Sequence, residues 1–312
     1  MSDLIDLKSR PVNIALNRLL KDRTTDKNII FATEAYDGVN FTTPLTKKLL
    51  FGDMIDIRPR VLKSLSEQAL RTRQKAEVFT PSWICNKMNN HCDNEWFGRE
   101  NVFNREQDQA WLTSEGKIEF TSGKSWQDYV YSTRLEITCG EAPYLVSRYD
   151  AATGESIPIH KRIGILDRKL RVINENAKTQ KTWNTWVYRA FESVYGYEYQ
   201  CDNLLIARIN LLETFCEYTR DRWQKEPTDS SIKRIANIIS WNLWQMDGIH
   251  GVVPQLGAVK EPKPNNEPEQ LSIFDSMGID EKTPATAPAA IACKIYDWRE
   301  NKSVTYKNMN EE

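Results

Sequence analysis

Two short strand-like runs and two apolar helices, set in order in the middle of the chain, constrain its fold more than any other feature. Arg134 to Thr138 reads as a strand, and Ser193 to Tyr199 reads as another. Asp202 can cap a helix carrying Leu205, Ile209, Leu212 and Cys216, after which Ile232, Ile235, Ile239 and Trp241 begin a further helix. Strand, helix, strand, helix predicts an α/β sheet with helices on its faces. The 312 residues suffice for one large domain or two small ones. Charge narrows the function. Forty-two Lys and Arg stand against 43 Asp and Glu, a formal net charge of −1, which excludes a polycationic DNA-coating protein. A nucleic-acid enzyme with a local basic face remains open.

The flanks read differently from the middle. From Arg58 the spacing of Val61, Leu62, Leu65, Ala69 and Leu70 predicts a helix, with Pro59 suited to its first turn. Its basic positions, Arg58, Arg60, Lys63, Arg71, Arg73 and Lys75 against Glu67, read as a solvated face, with phosphate contact as the alternative. Thr80-Pro81 opens another helix, Thr80 as its N-cap and Ile84, Met88 and Cys92 on one face. Residues 93–130 read as loops and short strands anchored by Trp96, Phe97, Trp111 and Trp126. Ten tryptophans imply large flat surfaces, either core or facing nucleobases. Beyond Gly251 prolines crowd among polar residues, as in a linker, and Ile291 to Tyr306 alternates like a returning edge strand. The expected division is an N-terminal, partly helical extension (1–75), an α/β body (76–253), a linker (254–290) and a C-terminal segment (291–312). No apolar run approaches the roughly 20 residues a membrane helix needs. The start lacks an apolar signal block, and the six cysteines include no CxxC pair, so the expected setting is cytoplasmic with no membrane partner.

The segment Leu135-Glu136-Ile137-Thr138-Cys139-Gly140-Glu141-Ala142-Pro143-Tyr144-Leu145 carries the first chemical signal. A strand ends in an acid and a glycine turn leads into a helix, so a ligand can approach free backbone N–H groups. At the carboxyl end of a parallel strand, nucleotide-like ligands sit. Three other blocks flank it. Upstream lies Glu77-Val78-Phe79-Thr80-Pro81-Ser82-Trp83-Ile84. Downstream lie Val194-Tyr195-Gly196-Tyr197-Glu198-Tyr199, continued by Asn203 to Leu211, and then Ile238 to Gly248, which contains Asp247.

In that order the four blocks resemble the S-adenosylmethionine site of adenine-N6 DNA methyltransferases, nearest to the methylase part of type I and type IIG restriction–modification systems. The similarity covers residues 70–250 or so. It implies a Rossmann-like, S-adenosylmethionine-dependent methyltransferase domain with an N-terminal helical extension, acting on double-stranded DNA. Phe79, Thr80 and Pro81 resemble the element that holds the methionine end of the cofactor. Glu136, Cys139 and Gly140 resemble the acidic-x-x-Cys-Gly loop, Glu198 the carboxylate that takes the ribose hydroxyls, and Asp247 the acid near the adenine amino group. A ribose diol and an exocyclic amine do need carboxylate acceptors near strand ends.

The chain departs from the family in four places. Ile137-Thr138 stands where Pro-Ala or Pro-Ser is usual, and Ala142 where glycine is usual. Glu136 and Glu198 lie twice as far apart as a plain βαβ unit of about 30 residues allows, which requires an insertion near 153–181. The catalytic Asn/Asp/Ser-Pro-Pro-Tyr motif has no counterpart after Asp247, so no catalytic residue is assigned. Three explanations stand: a second chain carrying that motif, a truncation, or a protein that has lost catalysis. The rival reading is a non-catalytic subunit that binds DNA or a partner on a methyltransferase scaffold. Other chemistries have thinner support. Cys85, His91 and Cys92 lack a second pair at zinc spacing, so no metal is expected. Glu115-x-Lys117 with Asp108 is half a nuclease pattern. Gln270-Leu271-Ser272-Ile273-Phe274 resembles the short peptide that docks on sliding DNA clamps, and packing of its apolar residues onto the body is the alternative.

Overall fold

The structure is a computed structural model that describes residues 4–33, 36, 38–52, 55–75, 77, 80–121, 123–255 and 290–306. Helices α1 (Val12–Leu19) and α2 (Lys47–Phe51) come first, then α3 (Leu65–Lys75) and α4 (Ser82–Phe97). Strands β1 (Asn104–Gln107) and β2 (Ala110–Thr113) form an antiparallel hairpin. Helix α5 (Trp126–Tyr131) follows, begun by a capping box between Ser125 and Asp128, and leads into β3 (Arg134–Ile137). Helices α6 (Ile165–Asn176) and α7 (Gln180–Glu192) precede β4 (Val194–Glu198). Helices α8 (Cys201–Trp223) and α9 (Asp229–Asn242) precede β5 (Leu243–Gln245). The fold is mixed α/β with small sheets.

Strands β3, β4 and β5 are parallel and lie side by side in chain order. One face of this sheet, through Val194 and Leu243, joins the main apolar core. Helix α8, 23 residues long, runs through that core buried on nearly every side, the pattern of an interior helix. Helix α1 packs on α8 and α9 within the same core. The opposite face carries Tyr197 and Trp244, which pack with Met246, Val253, Cys293 and Ile295. No helix among the described residues is long and apolar enough to cross a membrane.

Five readings need correction. The helix expected from Arg58 is a single 3-10 turn at Arg60–Leu62, after which Lys63 turns extended and α3 starts only at Leu65. Its basic run is not simply a solvated face, because Lys63 and Arg71 are buried against Asp202 at 3.1 and 2.7 Å. Leu65 and Leu70 point outward in consequence, 84% and 52% exposed.

Helix α4 is likewise turned over. Met88 and Cys92 are exposed, and the buried face is Cys85, Asn86, Asn89, Asn90, Asp93 and Phe97. Burying amides and a carboxylate is costly unless each is bonded. Arg168 supplies the partners, donating to Asp93 Oδ2 at 2.6 Å, Asn86 Oδ1 at 2.9 Å and Asn90 Oδ1 at 2.8 Å. Apolar periodicity is blind to such a face.

Thr80 does not cap α4. Pro81 occupies the N-cap position, and the Ser82 N–H is taken by Asp150 Oδ2 at 2.7 Å. The C-terminal segment is not an edge strand of the parallel sheet either. It is an antiparallel hairpin, β6 (Lys294–Asp297) and β7 (Lys302–Thr305). Main-chain bonds from Val253 to Ile291 and from Cys293 to Gly251 tie it to the turn after β5. The linker motif Gln270 to Phe274 lies outside the described residues.

Candidate functional site

The carboxyl ends of β3, β4 and β5 lie along one edge of the sheet, and each bears an acid. Glu136 stands near the end of β3, Glu198 closes β4, and Asp247 follows β5 by two residues. Parallel pairing aligns the three ends, with Glu136 opposite Gly196 and Glu198 opposite Gln245.

The loop after β3 is tightly wound. Thr138, Gly140 and Ala142 all have positive φ, at 39°, 51° and 64°. This winding folds Cys139 back over the sheet, where its N–H donates to the Tyr197 carbonyl at 2.8 Å. Cys139 lies directly on Gly196, where a Cβ would sit 3.1 Å from Cys139 Cβ and 3.2 Å from its Sγ. The glycine in the Val-Tyr-Gly-Tyr-Glu strand is therefore a seat for the loop.

The acids hold the loop in place. Glu136 Oε1 and Oε2 accept the N–H groups of Tyr144 and Leu145 at 3.3 and 3.1 Å. Glu198 Oε2 accepts the Gly140 N–H at 2.9 Å, and its Oε1 accepts that of Gln200 at 3.1 Å. Both carboxylates are buried. Burial raises Glu136 to about 8, against the pull of the two N–H groups and with the Glu198 charge adding to the rise. Glu198 rises to about 7, again through burial, opposed by the Gln200 and Gly140 N–H groups and assisted by the Asp202 charge. Neither has a cation among the causes of its shift.

Thr80 and Pro81 lie beside this loop. The Tyr144 hydroxyl is raised by burial and lowered by a hydrogen bond with Thr80. The Thr80 carbonyl accepts from Cys85 Sγ at 3.6 Å, and burial together with the nearby Glu136 charge pushes the Cys85 thiol up. Phe79 lies outside the described residues. Asp247 is at the right edge but turned into its own loop. Its Oδ1 accepts the Ile249 and His250 N–H groups at 3.0 and 3.3 Å, and Oδ2 meets His250 Nδ1 at 2.9 Å. The structure thus brings together Thr80, Pro81, Glu136, Cys139, Gly140 and Glu198, with Asp247 on the next strand.

Sequence reasoning missed three members of this edge. Glu141 accepts the Arg60 N–H at 2.6 Å and the Tyr149 hydroxyl at 2.6 Å, fixing the loop from beneath. Tyr144 bridges the loop to Thr80. Gln245 donates to the Ile30 and Tyr199 carbonyls at 2.6 and 2.8 Å, closing the edge with the N-terminal segment. The position of Glu141 directly after Cys139-Gly140 was a readable signal for it, whereas the partners of Tyr144 and Gln245 are set only by the tertiary fold. The nuclease-like trio does not form a site, since Asp108, Glu115 and Lys117 are all exposed around the β1–β2 hairpin. No cluster of His, Cys, Asp and Glu fit for a metal occurs among the described residues. The chain matches no family model, no curated protein and no solved structure.

Proposed function

We propose that the chain binds S-adenosylmethionine at the carboxyl edge of β3–β5 and serves adenine-N6 methylation of double-stranded DNA, as the cofactor-binding half of a Rossmann-like methyltransferase. The observation that carries this reading is Glu198. It is a buried carboxylate at the end of the second parallel strand, bonded to the glycine loop of the first, with each oxygen accepting one N–H and keeping further acceptor capacity. A ribose diol offers two O–H donors, which is what such a carboxylate lacks. The donor set fits the cofactor in this respect, and Gly140 admits close approach of the ribose.

When bound, the cofactor supplies an electrophilic methyl group. The chain's own residues orient it. Glu198 would hold the ribose hydroxyls, the Thr80–Pro81 turn and the loop from Cys139 to Tyr144 would seat the methionine end, and the turn at Asp247 would border the adenine. Asp247 would do this through its turn and its Oδ2, because Oδ1 already accepts two N–H groups whereas Oδ2 meets only His250 Nδ1. The 312 residues contain no Asn/Asp/Ser-Pro-Pro-Tyr sequence after Asp247, so the group that receives the target amine belongs to another segment.

Titration calorimetry of the full chain with S-adenosylmethionine tests the reading. Binding is expected, and Glu198→Ala should weaken it by about 1.5–3 kcal/mol, roughly ten- to a hundredfold. Absence of binding at millimolar cofactor, or indifference to the substitution, would overturn it.

A further inference from the structure

Asp247 accepts more hydrogen bonds than its turn requires. The main chain already closes the turn after β5. The Gly251 N–H donates to the Asp247 carbonyl at 2.8 Å, and the Asp247 N–H donates to the Val252 carbonyl at 2.8 Å. Asp247 Oδ1 completes the closure by accepting the Ile249 and His250 N–H groups, as aspartate commonly does in turns. Oδ2 has no part in it. That oxygen meets the His250 ring instead, 2.9 Å from Nδ1, and fixes a side chain that the turn itself would leave to rotate.

The surroundings fix the place of this pair. The turn rests on the sheet at Gly248, where a Cβ would lie 2.5 Å from Tyr197 Cε2. The pair stands beside Tyr199, the residue after Glu198, whose hydroxyl is raised by burial and by the Asp247 charge. Tyr199 is half-buried and offers a ring face at the same edge as Glu198. The His250 side chain is 31% exposed, and its Nε2 has no hydrogen-bond partner among the described residues. A carboxylate only accepts, so the proton of the neutral imidazole lies on Nδ1 and Nε2 becomes an acceptor.

We infer that His250 is a specificity-determining residue for the purine of the bound cofactor, with Asp247 positioning its ring and Nε2 accepting an N–H of the 6-amino group. The inference rests on the proposed function, which sets the adenine beside this turn. Oδ2 already holds the Nδ1 proton, and the imidazole carries an acceptor outward from it. The 6-amino group supplies the N–H that this acceptor lacks. A purine with hydrogen at that position leaves Nε2 without a partner, and a site built to bond a group rejects the analogue that lacks it.

Titration calorimetry on the full chain compares S-adenosylhomocysteine with its analogue carrying hydrogen in place of the 6-amino group. The adenosyl ligand should bind about tenfold more tightly than the analogue. His250→Ala should weaken the adenosyl ligand about tenfold and leave the analogue within about twofold, so that the preference disappears. Asp247→Asn should remove the preference too, by a different route. Its amide oxygen can keep the Ile249 and His250 N–H groups, while its NH2 faces Nδ1 and moves the ring proton to Nε2. Nitrogen-15 NMR reads that proton directly. It should lie on Nδ1 in the parent and on Nε2 in Asp247→Asn. The chain has three histidines, and the signal missing from His250→Ala identifies the right one. A parent proton on Nε2, or an equal loss of both ligands in His250→Ala, would overturn the inference and leave the cofactor reading intact. So would a gain in adenosyl affinity from His250→Ala, the result expected if a freed Oδ2 took the amine itself. Binding of neither ligand to the parent would overturn both.

Discussion

Asp202 and the pair Glu136 and Glu198 are equally hidden from water, yet they titrate in opposite directions. Asp202, in the first turn of α8, receives Lys63 at 3.1 Å, Arg71 at 2.7 Å and the Tyr36 hydroxyl at 2.7 Å. Burial alone would raise it, but the charges of Lys63 and Arg71 and the Tyr36 hydrogen bond bring it down to about 2. Glu136 and Glu198, at the strand ends, have only backbone N–H partners and rise to about 8 and 7. The lesson concerns use. The Asp202 cluster is closed, an ion pair network that locks α3 onto α8. The strand-end acids are bonded to backbone N–H groups without a cation, which is what the proposed ligand role draws on. A buried acid with its own cations reads as structure, and one without them reads as a place for a ligand.

The largest expected effect would test the closed cluster. Asp202→Asn leaves Lys63 buried without its counter-charge and Arg71 with Glu77 as its remaining acid, and breaking such a buried pair typically costs about 3–5 kcal/mol. The same acid-to-amide exchange at Glu198 should cost less, about 1–3 kcal/mol, because no cation is stranded there and only one backbone N–H loses its acceptor. Urea denaturation of both variants measures the difference. Equal losses would mean that the two kinds of acid are not distinct.

The comparison also predicts opposite pH windows. From the ordinary 4.5 up to about 8 for Glu136 and about 7 for Glu198, the folded chain keeps protons that the unfolded chain has released. Their stabilising contribution is complete below 4.5 and is lost as pH rises through those folded values. Glu213, raised by burial to about 7, adds to the same loss. Asp202 acts in reverse, its contribution complete above 3.8 and lost as pH falls through about 2. Denaturation midpoints should therefore fall between pH 5 and 8.5, by on the order of a few kcal/mol in total. The double variant Glu136→Gln, Glu198→Gln should flatten that decline. A midpoint that rises across the range would break the assignment. Cofactor affinity should run the other way and strengthen as pH rises through about 7, because the ionised Glu198 is the better acceptor for ribose hydroxyls.

What the sequence made legible was local. Arg134 to Thr138 and Ser193 to Tyr199 show their strands because apolar and polar residues alternate between helix signals, and they agree with β3 and β4 to within a residue or two. The loop at Cys139-Gly140 and the acid at Glu198 were singled out by the resemblance of the four ordered blocks, not by alternation. The faces of α3 and α4 were not legible, since their inward residues are charges and amides whose partners lie far along the chain. Arg71 meets Asp202 and Asn86 meets Arg168, and no periodicity reports such pairs. The cap of α4 failed likewise. Thr80 is the right residue type one position too early, and the bond comes from Asp150, many residues downstream. Strand β5 was hidden because Trp241, Leu243 and Trp244 continue the apolar character of α9 without a break.

The smallest effect sharpens the comparison where the loop of Glu136 meets Glu198. Ala142 is fully buried with φ at 64°, a conformation that disfavours any side chain. Holding alanine there costs about 1–2 kcal/mol, which Ala142→Gly would release. Two terms oppose the gain. Glycine adds about 0.4–1 kcal/mol of freedom to the unfolded chain, and the lost methyl forfeits about 0.8 kcal/mol of burial. The sum should leave Ala142→Gly within about 1 kcal/mol of the parent. Ala207, equally buried in the middle of α8, provides the control, since it has ordinary helical geometry and no strain to relieve. Ala207→Gly should cost about 2 kcal/mol, from helix propensity and the same lost methyl. The two variants remove the same atoms from equally dry sites, so the gap between their urea midpoints isolates the backbone term. A gap near zero would mean that the winding at Thr138, Gly140 and Ala142 stores no strain. A clear gap would show that this loop, unlike the interior of α8, is held in a shape its own residues resist, with Glu136 and Glu198 among the groups that hold it.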